Sequence, residues 1–321
     1  MNLPPFTVLP AEAEHTLAKV LRSRLHASQP SWNDVRAMIE NRRVKVGDSV
    51  CTDPARRVHE GEVVELLAKP TAKPRNSTAE TLVIRHLDDH VVVVEKPSGV
   101  SSVRHPAELE WTEKRKQLDP TLQDVTQWAI AGKLNRSARS LPPLRIVHRL
   151  DKETSGLLMF ARSVLAEREL GQQFRKHTVV RRYLAVVPGI VSPRTIRSTL
   201  IRDRGDGRRG STKQPDVTGK DAITHIAIEE RLPKHMVLSC RLETGRTHQI
   251  RIHLSEAGHP VCGEKVYNRT QSGDPLPETP APRLALHATE LGFEHPVTGE
   301  HLHWAMPLPP DLQKFVDGLR K

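Results

Sequence analysis

The sequence has few cysteines and few aromatic residues. Three of its 321 residues are cysteines, Cys51, Cys240 and Cys262, and they lie far apart with no Cys-x-x-Cys pair. We therefore expect no disulfide framework and no zinc knuckle, and free thiols in a reducing cytoplasm are the default. Aromatic residues make up 3% of the chain, which argues against an extensive platform for stacking bases.

Long apolar runs are also missing. No stretch is long enough to span a bilayer, and the first residues contain no hydrophobic signal core. From this we expect a cytoplasmic protein that does not enter a membrane.

Positive charge, by contrast, is in excess. The chain has 49 Lys and Arg against 38 Asp and Glu, a net charge of +11 and a pI of about 9.8. Such a balance favours a polyanionic partner, and nucleic acid is the first candidate.

A segment rich in Pro, Lys, Ser and Thr, 69–80, has no hydrophobic periodicity and indicates a linker. It predicts a small N-terminal domain, 1–68, and a large domain, 81–321. In the large domain, β-rich runs at 82–84 and 91–94 alternate with stretches of helical periodicity such as 164–176.

The most informative stretch is 148–158, His-Arg-Leu-Asp-Lys-Glu-Thr-Ser-Gly-Leu-Leu. A short apolar pair precedes it and an apolar run follows, so we predict a strand, a tight polar turn and a second strand. Gly156 would permit an unusual backbone angle there. Asp151 then lies at the end of a sheet, where a pocket can form. The alternative is an Asx-turn in which Asp151 only holds a hairpin.

Two further stretches have patterns that predict secondary structure and contain candidate functional residues. In 179–189 alternation predicts a strand with Tyr183 on one face. In 242–254, Leu-Glu-Thr-Gly-Arg-Thr-His-Gln-Ile-Arg-Ile-His-Leu, a strand ends and a helix begins. His248 and His253 raise the question of a metal, but their spacing of five and the lack of a Cys or acidic cluster argue against one.

Together these stretches resemble the motifs of the RluA-type RNA pseudouridine synthases. The resemblance extends to Lys-Pro-Ser-Gly at 96–99 and Arg-Leu-Ala-Leu-His-Ala at 283–288. The matches follow family order from about residue 81 to 308. The resemblance implies an α+β fold with a mixed, mostly antiparallel central sheet and flanking helices. It also implies isomerisation of uridine to pseudouridine in structured RNA, with no cofactor.

The same resemblance assigns roles to individual residues. Asp151 corresponds to the catalytic aspartate, and Tyr183 to the tyrosine that lies against the target base. The family needs a cation paired with the aspartate, for which Arg246 is the first choice and Arg251 the second. A buried carboxylate tends to hold a proton, so such an arginine is also physically required for Asp151 to stay ionised. Arg149 is expected to bind phosphate or to fill the gap left by a flipped uridine.

The N-terminal domain resembles the S4 RNA-binding module, a small α+β fold. Ser31 and Asp34 form a capping-box pattern before a helix, and Val-Lys-Val-Gly at 44–47 follows it. We expect a group of cationic side chains to face RNA: Arg36, Arg42, Arg43 and Lys45. The alternative is a solvated basic helix end.

The sequence therefore favours a stand-alone, monomeric RNA pseudouridine synthase that acts on large-subunit ribosomal RNA, with transfer RNA as an alternative substrate. A non-catalytic RNA-binding protein of the same fold is the second hypothesis. A metal- or His-dependent hydrolase ranks last, because the 17 histidines are scattered. The glycine- and arginine-rich stretch 202–221 predicts a loop facing RNA.

Overall fold

The structure, a computed structural model, describes residues 3–47, 49–70, 79–205, 207–212, 214, 218–270, 274–276, 279 and 281–321. The chain divides into two units. The first comprises Met1–Arg75 and Glu113–Asp119, and the second Asn76–Thr112 and Pro120–Lys321. Most of the predicted linker, 69–80, lies outside the described residues, so the predicted domain limits stay a prediction. The polar segment Glu113–Asp119 has no apolar periodicity, so nothing in its sequence indicated that it belongs with the first unit.

The first unit is a small α+β fold. Its elements are β1 (Phe6–Thr7), α1 (Leu17–Arg24), α2 (Trp32–Glu40), β2 (Val44–Val46), β3 (Ser49–Cys51), β4 (Val63–Leu66) and α3 (Glu113–Leu118). The strands form an antiparallel sheet in the order β1-β4-β2-β3. The predicted capping box starts α2, since Asp34 N donates to Ser31 Oγ (3.1 Å) and Ser31 N donates to Asp34 Oδ2 (2.9 Å).

The second unit is built on one large sheet. Its elements are β5 (Ile84–Leu87), β6 (Val91–Lys96), α4 (Leu122–Lys133), β7 (Arg145–Ile146), β8 (Ser155–Ala161), α5 (Val164–Arg175), β9 (Val180–Pro188), β10 (Arg194–Ile201), β11 (Gly210–Thr212), β12 (Lys220–Arg231), β13 (His235–Leu242), α6 (Gln249–Glu256), β14 (Leu286–Glu294), β15 (His301–Ala305) and α7 (Pro310–Leu319). The strand order is β11-β10-β12-β13-β9-β14-β8-β6-β5, with β15 on β14 and β7 on β8. Among the described strands, β8 and β14 are the parallel pair. The predicted mixed, mostly antiparallel sheet is confirmed.

Strands β6 and β8 are buried on both faces, which explains their unbroken apolar sequences. Alternate side chains point to opposite sides of the sheet. Val92, Val94, Leu158 and Phe160 join the core that includes Leu122, Val125 and Ile130 of α4. Val91, Val93, Leu157 and Met159 join a second core with Ala166 and Leu170 of α5. Helices on both faces therefore hold β8, and with it the turn that carries Asp151.

Gly156 fits its position for a steric reason. Its φ is +125°, and it lies opposite Ala288 where β8 and β14 run parallel. A Cβ at Gly156 would approach Ala288 N to 2.6 Å. The expectation of an unusual backbone angle at this residue is confirmed.

The stretch 202–221 is not simply a loop. Gly210–Thr212 forms β11 on β10, and β12 already begins at Lys220. The prediction was wrong here because backbone pairing at a sheet edge does not need the apolar alternation that marks a half-buried strand. Within the part of the chain that the structure describes, no helix has the length and hydropathy to cross a membrane.

Candidate active site

Asp151 lies in the turn between β7 and β8 and lines a cleft of about 450 Å³. The cleft is lined by the turn itself, the C-terminal end of α5, the starts of β9 and β14, and the turn that leads from β13 into α6. The predicted residues that line it are Arg149, Asp151, Tyr183, Arg246 and Arg251. Motifs about 100 residues apart in sequence therefore meet at one site.

Side-chain hydrogen bonds anchor the backbone on both sides of Asp151. Ser102 Oγ donates to the Leu150 carbonyl (2.6 Å) and accepts from Leu150 N (3.0 Å). Lys96 Nζ donates to the Lys152 carbonyl (2.9 Å), and its side chain is buried. Burial lowers the pKa of Lys96 to about 7. These contacts anchor the backbone of the turn from which the Asp151 carboxylate faces the cleft.

The arginine beside the carboxylate is Arg251. Its Nη1 lies 3.7 Å from Asp151 Oδ2, whereas Arg246, our first choice, donates from Nε to the Asp221 carbonyl (2.9 Å). The choice of Arg246 as the partner is thus corrected. Arg246 belongs to the turn before α6, whereas Arg251 projects from within that helix.

Arg251 also has a second, tighter carboxylate partner. Its Nε and Nη2 donate to Glu264 Oε2 and Oε1, at 2.6 and 2.7 Å. Burial would raise the pKa of Glu264, but the hydrogen bonds and charge of Arg251 outweigh it and hold that pKa below its usual value. Glu264 therefore orients the guanidinium so that Nη1 faces Asp151.

His248 forms a second contact to Asp151. Its Nε2 lies 4.0 Å from Asp151 Oδ1, and its Nδ1 lies 2.7 Å from the Tyr267 hydroxyl. His248 has a φ of +60° at the start of α6, which directs its ring toward the turn. Burial is the main cause that lowers the pKa of His248. We did not predict Glu264 or Tyr267, since neither occurs in a stretch whose pattern indicated a site.

Tyr183 is buried and lines the cleft. Burial raises its pKa to about 12, so the phenol keeps its proton at neutral pH. Arg181 lies two residues earlier on the same strand and also lines the cleft. Its Nη2 donates to the Glu243 carbonyl (2.8 Å), and its guanidinium lies 5.2 Å from the centre of the Phe174 ring. We missed Arg181, although the period of two that selected Tyr183 places it on the same face.

His148 and Arg149, the basic pair just before Leu150 and Asp151, lie in different environments. His148 is half-buried, accepts a hydrogen bond from Met159 N (3.1 Å), and has its pKa lowered to about 3 because its ring is shielded from solvent. Arg149 is exposed at the cleft. Within the described residues we find no carboxylate paired with it.

The four cationic residues predicted to face RNA lie in the first unit. Arg36 is exposed on α2. Arg42 follows α2 with a φ of +60°. Arg43 Nε donates to the Leu67 carbonyl (3.0 Å), and Lys45 Nζ lies 3.8 Å from Glu65 Oε2. Arg43 and Lys45 are thus engaged within this unit.

The ring of His253 is engaged by two hydroxyl groups. Its ring nitrogens lie 2.9 Å from Thr224 Oγ1 and 2.9 Å from Ser198 Oγ, and burial lowers its pKa to about 4. Searching the described ranges finds no group of three or more His, Cys, Asp or Glu placed to hold a metal ion.

One cleft therefore holds a carboxylate beside an arginine, a protonated phenol and several further cations. These groups are chemically able to carry out acid–base or nucleophilic chemistry. Family models give the class. The description "RNA pseudouridylate synthase" matches residues 90–256, and "S4 domain" matches residues 17–64. The chain belongs to the RNA pseudouridine synthases, isomerases whose partner is RNA, and carries an S4 domain.

Individual relatives cover most of the chain. A protein of Nitrosomonas europaea named "Ribosomal large subunit pseudouridine synthase D" is 36% identical over 91% of this chain and 81% of its own length. A protein of the same name from Neisseria meningitidis is 33% identical over 98% of this chain and 80% of its own. The solved structure "Human RNA Pseudouridylate Synthase Domain Containing 1" is 26% identical, with a TM-score of 0.53, over 77% of this chain and 97% of that one.

Proposed function

We propose that this protein isomerises uridine to pseudouridine in large-subunit ribosomal RNA and that Asp151 is its catalytic carboxylate. The observation that carries the proposal is the position of Asp151: an anchored turn presents it to the cleft, 3.7 Å from Arg251. The names of the two bacterial relatives support ribosomal RNA as the substrate. The net charge of +11 suits an RNA partner.

The reaction breaks the bond from ribose C1′ to uracil N1 and forms a bond from C1′ to C5, after which the hydrogen on C5 leaves as a proton and N1 takes up a proton. Ionised Asp151 can start it in two ways. It can attack C1′ as a nucleophile, or it can take a proton from C2′. Both routes need the carboxylate in its charged form, and Arg251 Nη1 lies 3.7 Å from that carboxylate.

The other cleft residues take supporting roles in this proposal. Tyr183 stacks against the uracil, and its phenol is protonated and able to assist proton transfer. Arg149, exposed beside Asp151, binds a phosphate or fills the space left when the uridine turns out of its stack. Arg246 lies at the rim of the cleft and binds the RNA there.

The test is tritium release from RNA labelled at uracil C5, since isomerisation must expel that hydrogen. Wild type is compared with Asp151→Asn, which keeps the shape of the side chain but cannot ionise. Large-subunit ribosomal RNA and transfer RNA are assayed separately. Release by wild type from the ribosomal RNA, with none by the variant, supports the proposal.

Other outcomes contradict defined parts of it. Release from transfer RNA alone would show that transfer RNA, and not ribosomal RNA, is the substrate. Release by Asp151→Asn at the wild-type rate would remove Asp151 from the chemistry. No release from either RNA, with RNA binding intact, would favour a binding function. We further propose a cytoplasmic monomer, which light scattering of the purified protein tests for mass.

A further inference from the structure

A second cavity lies beside the catalytic cleft. It has a volume of about 480 Å³ and shares Gly245 and Arg246 with the cleft. We name it the basic cavity after its polar lining, Arg202, Arg209, Thr218, Lys220, Arg246 and Thr247. Among the described residues, neither a carboxylate nor an aromatic ring is part of this lining.

The edge of the sheet brings three of the cations together. In the register of β10 and β11, Ile201 lies opposite Gly210, so Arg202 and Arg209 follow as facing positions at the end of the hairpin. Lys220 is the first residue of β12, which pairs with the other side of β10. Residues that are 18 positions apart in sequence thus reach one cavity because their strands are neighbours.

The fourth cation comes from a different element. Arg246 is held against the sheet by its hydrogen bond to the carbonyl of Asp221, the residue after Lys220. Its position on the border between the cleft and the basic cavity is therefore fixed by the backbone of β12. The two cavities share this side chain as a wall.

Among the described residues, no carboxylate balances the charge of the basic cavity, in contrast to other arginines of this unit. Arg182, Arg283 and Arg320 each form ion pairs with Asp or Glu. Within the described ranges, by contrast, none of the four cations of the basic cavity has a carboxylate within 4.0 Å. Gathering like charges without partners costs free energy, which a bound polyanion would offset.

We propose that the basic cavity binds phosphodiester groups of the RNA strand next to the target uridine. This proposal rests on the proposed function, because the cavity adjoins the cleft that would hold the target uridine. The neighbouring nucleotides of the same RNA strand would then lie at the cavity. Guanidinium and ammonium groups with two hydroxyls suit phosphate oxygens. The absence of a described aromatic ring in the lining argues against a base as the occupant.

The experiment uses the full chain with Arg202→Gln and Lys220→Gln combined, leaving Arg246 intact because it also lines the cleft. The affinity for a structured ribosomal RNA fragment is measured over a series of salt concentrations. Loss of two phosphate contacts should raise Kd about tenfold and reduce the slope of log affinity against log salt by about 2. In the tritium assay the loss should fall on KM rather than on kcat.

Two control variants distinguish the loss of phosphate contacts in the basic cavity from a general loss of positive charge or of folded structure. Lys234→Gln combined with Lys314→Gln removes the same charge from exposed positions outside both cavities, and it should keep the wild-type slope. Arg202→Lys combined with Lys220→Arg keeps the charges and should also keep it. If the Gln pair in the cavity behaves like the distant pair, the proposal is overturned. If wild type releases no tritium, the proposed function fails, while the salt slopes still report on the cavity.

Discussion

Arg251 lies between two carboxylates, so its removal should affect stability and catalysis separately. Its Nε and Nη2 bind Glu264 at 2.6 and 2.7 Å, and its Nη1 faces Asp151 at 3.7 Å. The Glu264 side chain is 1% exposed and that of Asp151 is 18% exposed. The variant Arg251→Met keeps much of the volume and removes the charge from both.

The structure sets the size of the stability effect. Arg251→Met leaves Glu264 buried without its counter-ion, which should cost about 3–5 kcal/mol. Adding Glu264→Gln removes that charge while its Oε1 still accepts from Val266 N, at 2.8 Å in the native chain. The double variant should return to within about 1–2 kcal/mol of wild type, because replacing both partners of a buried pair is far less costly than removing one.

Catalysis should not return with stability. In the double variant Asp151 still has no guanidinium beside it, so tritium release at neutral pH should stay as low as in Arg251→Met. Unfolding in urea is followed by tryptophan fluorescence, since Trp111, Trp128 and Trp304 lie in the second unit. The reasoning is wrong if Arg251→Met is as stable as wild type, or if the double variant recovers activity.

The same pair predicts a pH dependence. In the folded chain Arg251 holds the pKa of Glu264 below its ordinary value of 4.5, against the effect of burial. A carboxylate with a lowered folded-state pKa stabilises the fold above its unfolded pKa and loses that contribution as pH falls through the folded value. Wild type should therefore lose stability below about pH 4.5 more steeply than the double variant. Equal acid transitions would contradict the assignment.

Three further predictions concern the turn and the cleft. Gly156→Ala should prevent correct folding of the second unit, because φ is +125° and a Cβ would meet the backbone of β14. The control is Gly132→Ala in α4, where a Cβ has nothing within 4 Å, and it should be neutral or stabilising by up to about 1 kcal/mol. Circular dichroism during urea titration compares the two variants. Ser102→Ala should cost about 1–3 kcal/mol and lower kcat more than RNA affinity, since both hydrogen bonds to Leu150 are lost; unchanged kcat would contradict a positioning role. Because burial raises the pKa of Tyr183 to about 12, the pH–rate profile should show no step from this phenol below about pH 10, and a step near pH 10 that Tyr183→Phe abolishes would refute this.

Local patterns in the sequence were sufficient for much of the fold. The capping box at Ser31, the run that became β8 and the helical period of 164–176 each act between neighbours in the chain, so their outcome could be predicted from spacing. The polar turn at Asp151 could also be predicted, because a glycine directly before an apolar run indicates a tight turn that leads into a strand. The fold class and family followed from motifs whose residues occur in one order along the chain.

The partners of the Asp151 carboxylate, which we propose to be catalytic, were decided by the tertiary structure. Arg246 and Arg251 are five residues apart in one motif, and only the left-handed backbone at His248 and the start of α6 determine which one reaches Asp151. Glu264, which orients Arg251, belongs to a stretch with no pattern of its own. The physical reason is range: helix and strand periods depend on contacts between near neighbours, whereas an ion pair depends on where distant segments place a few atoms to within an ångström.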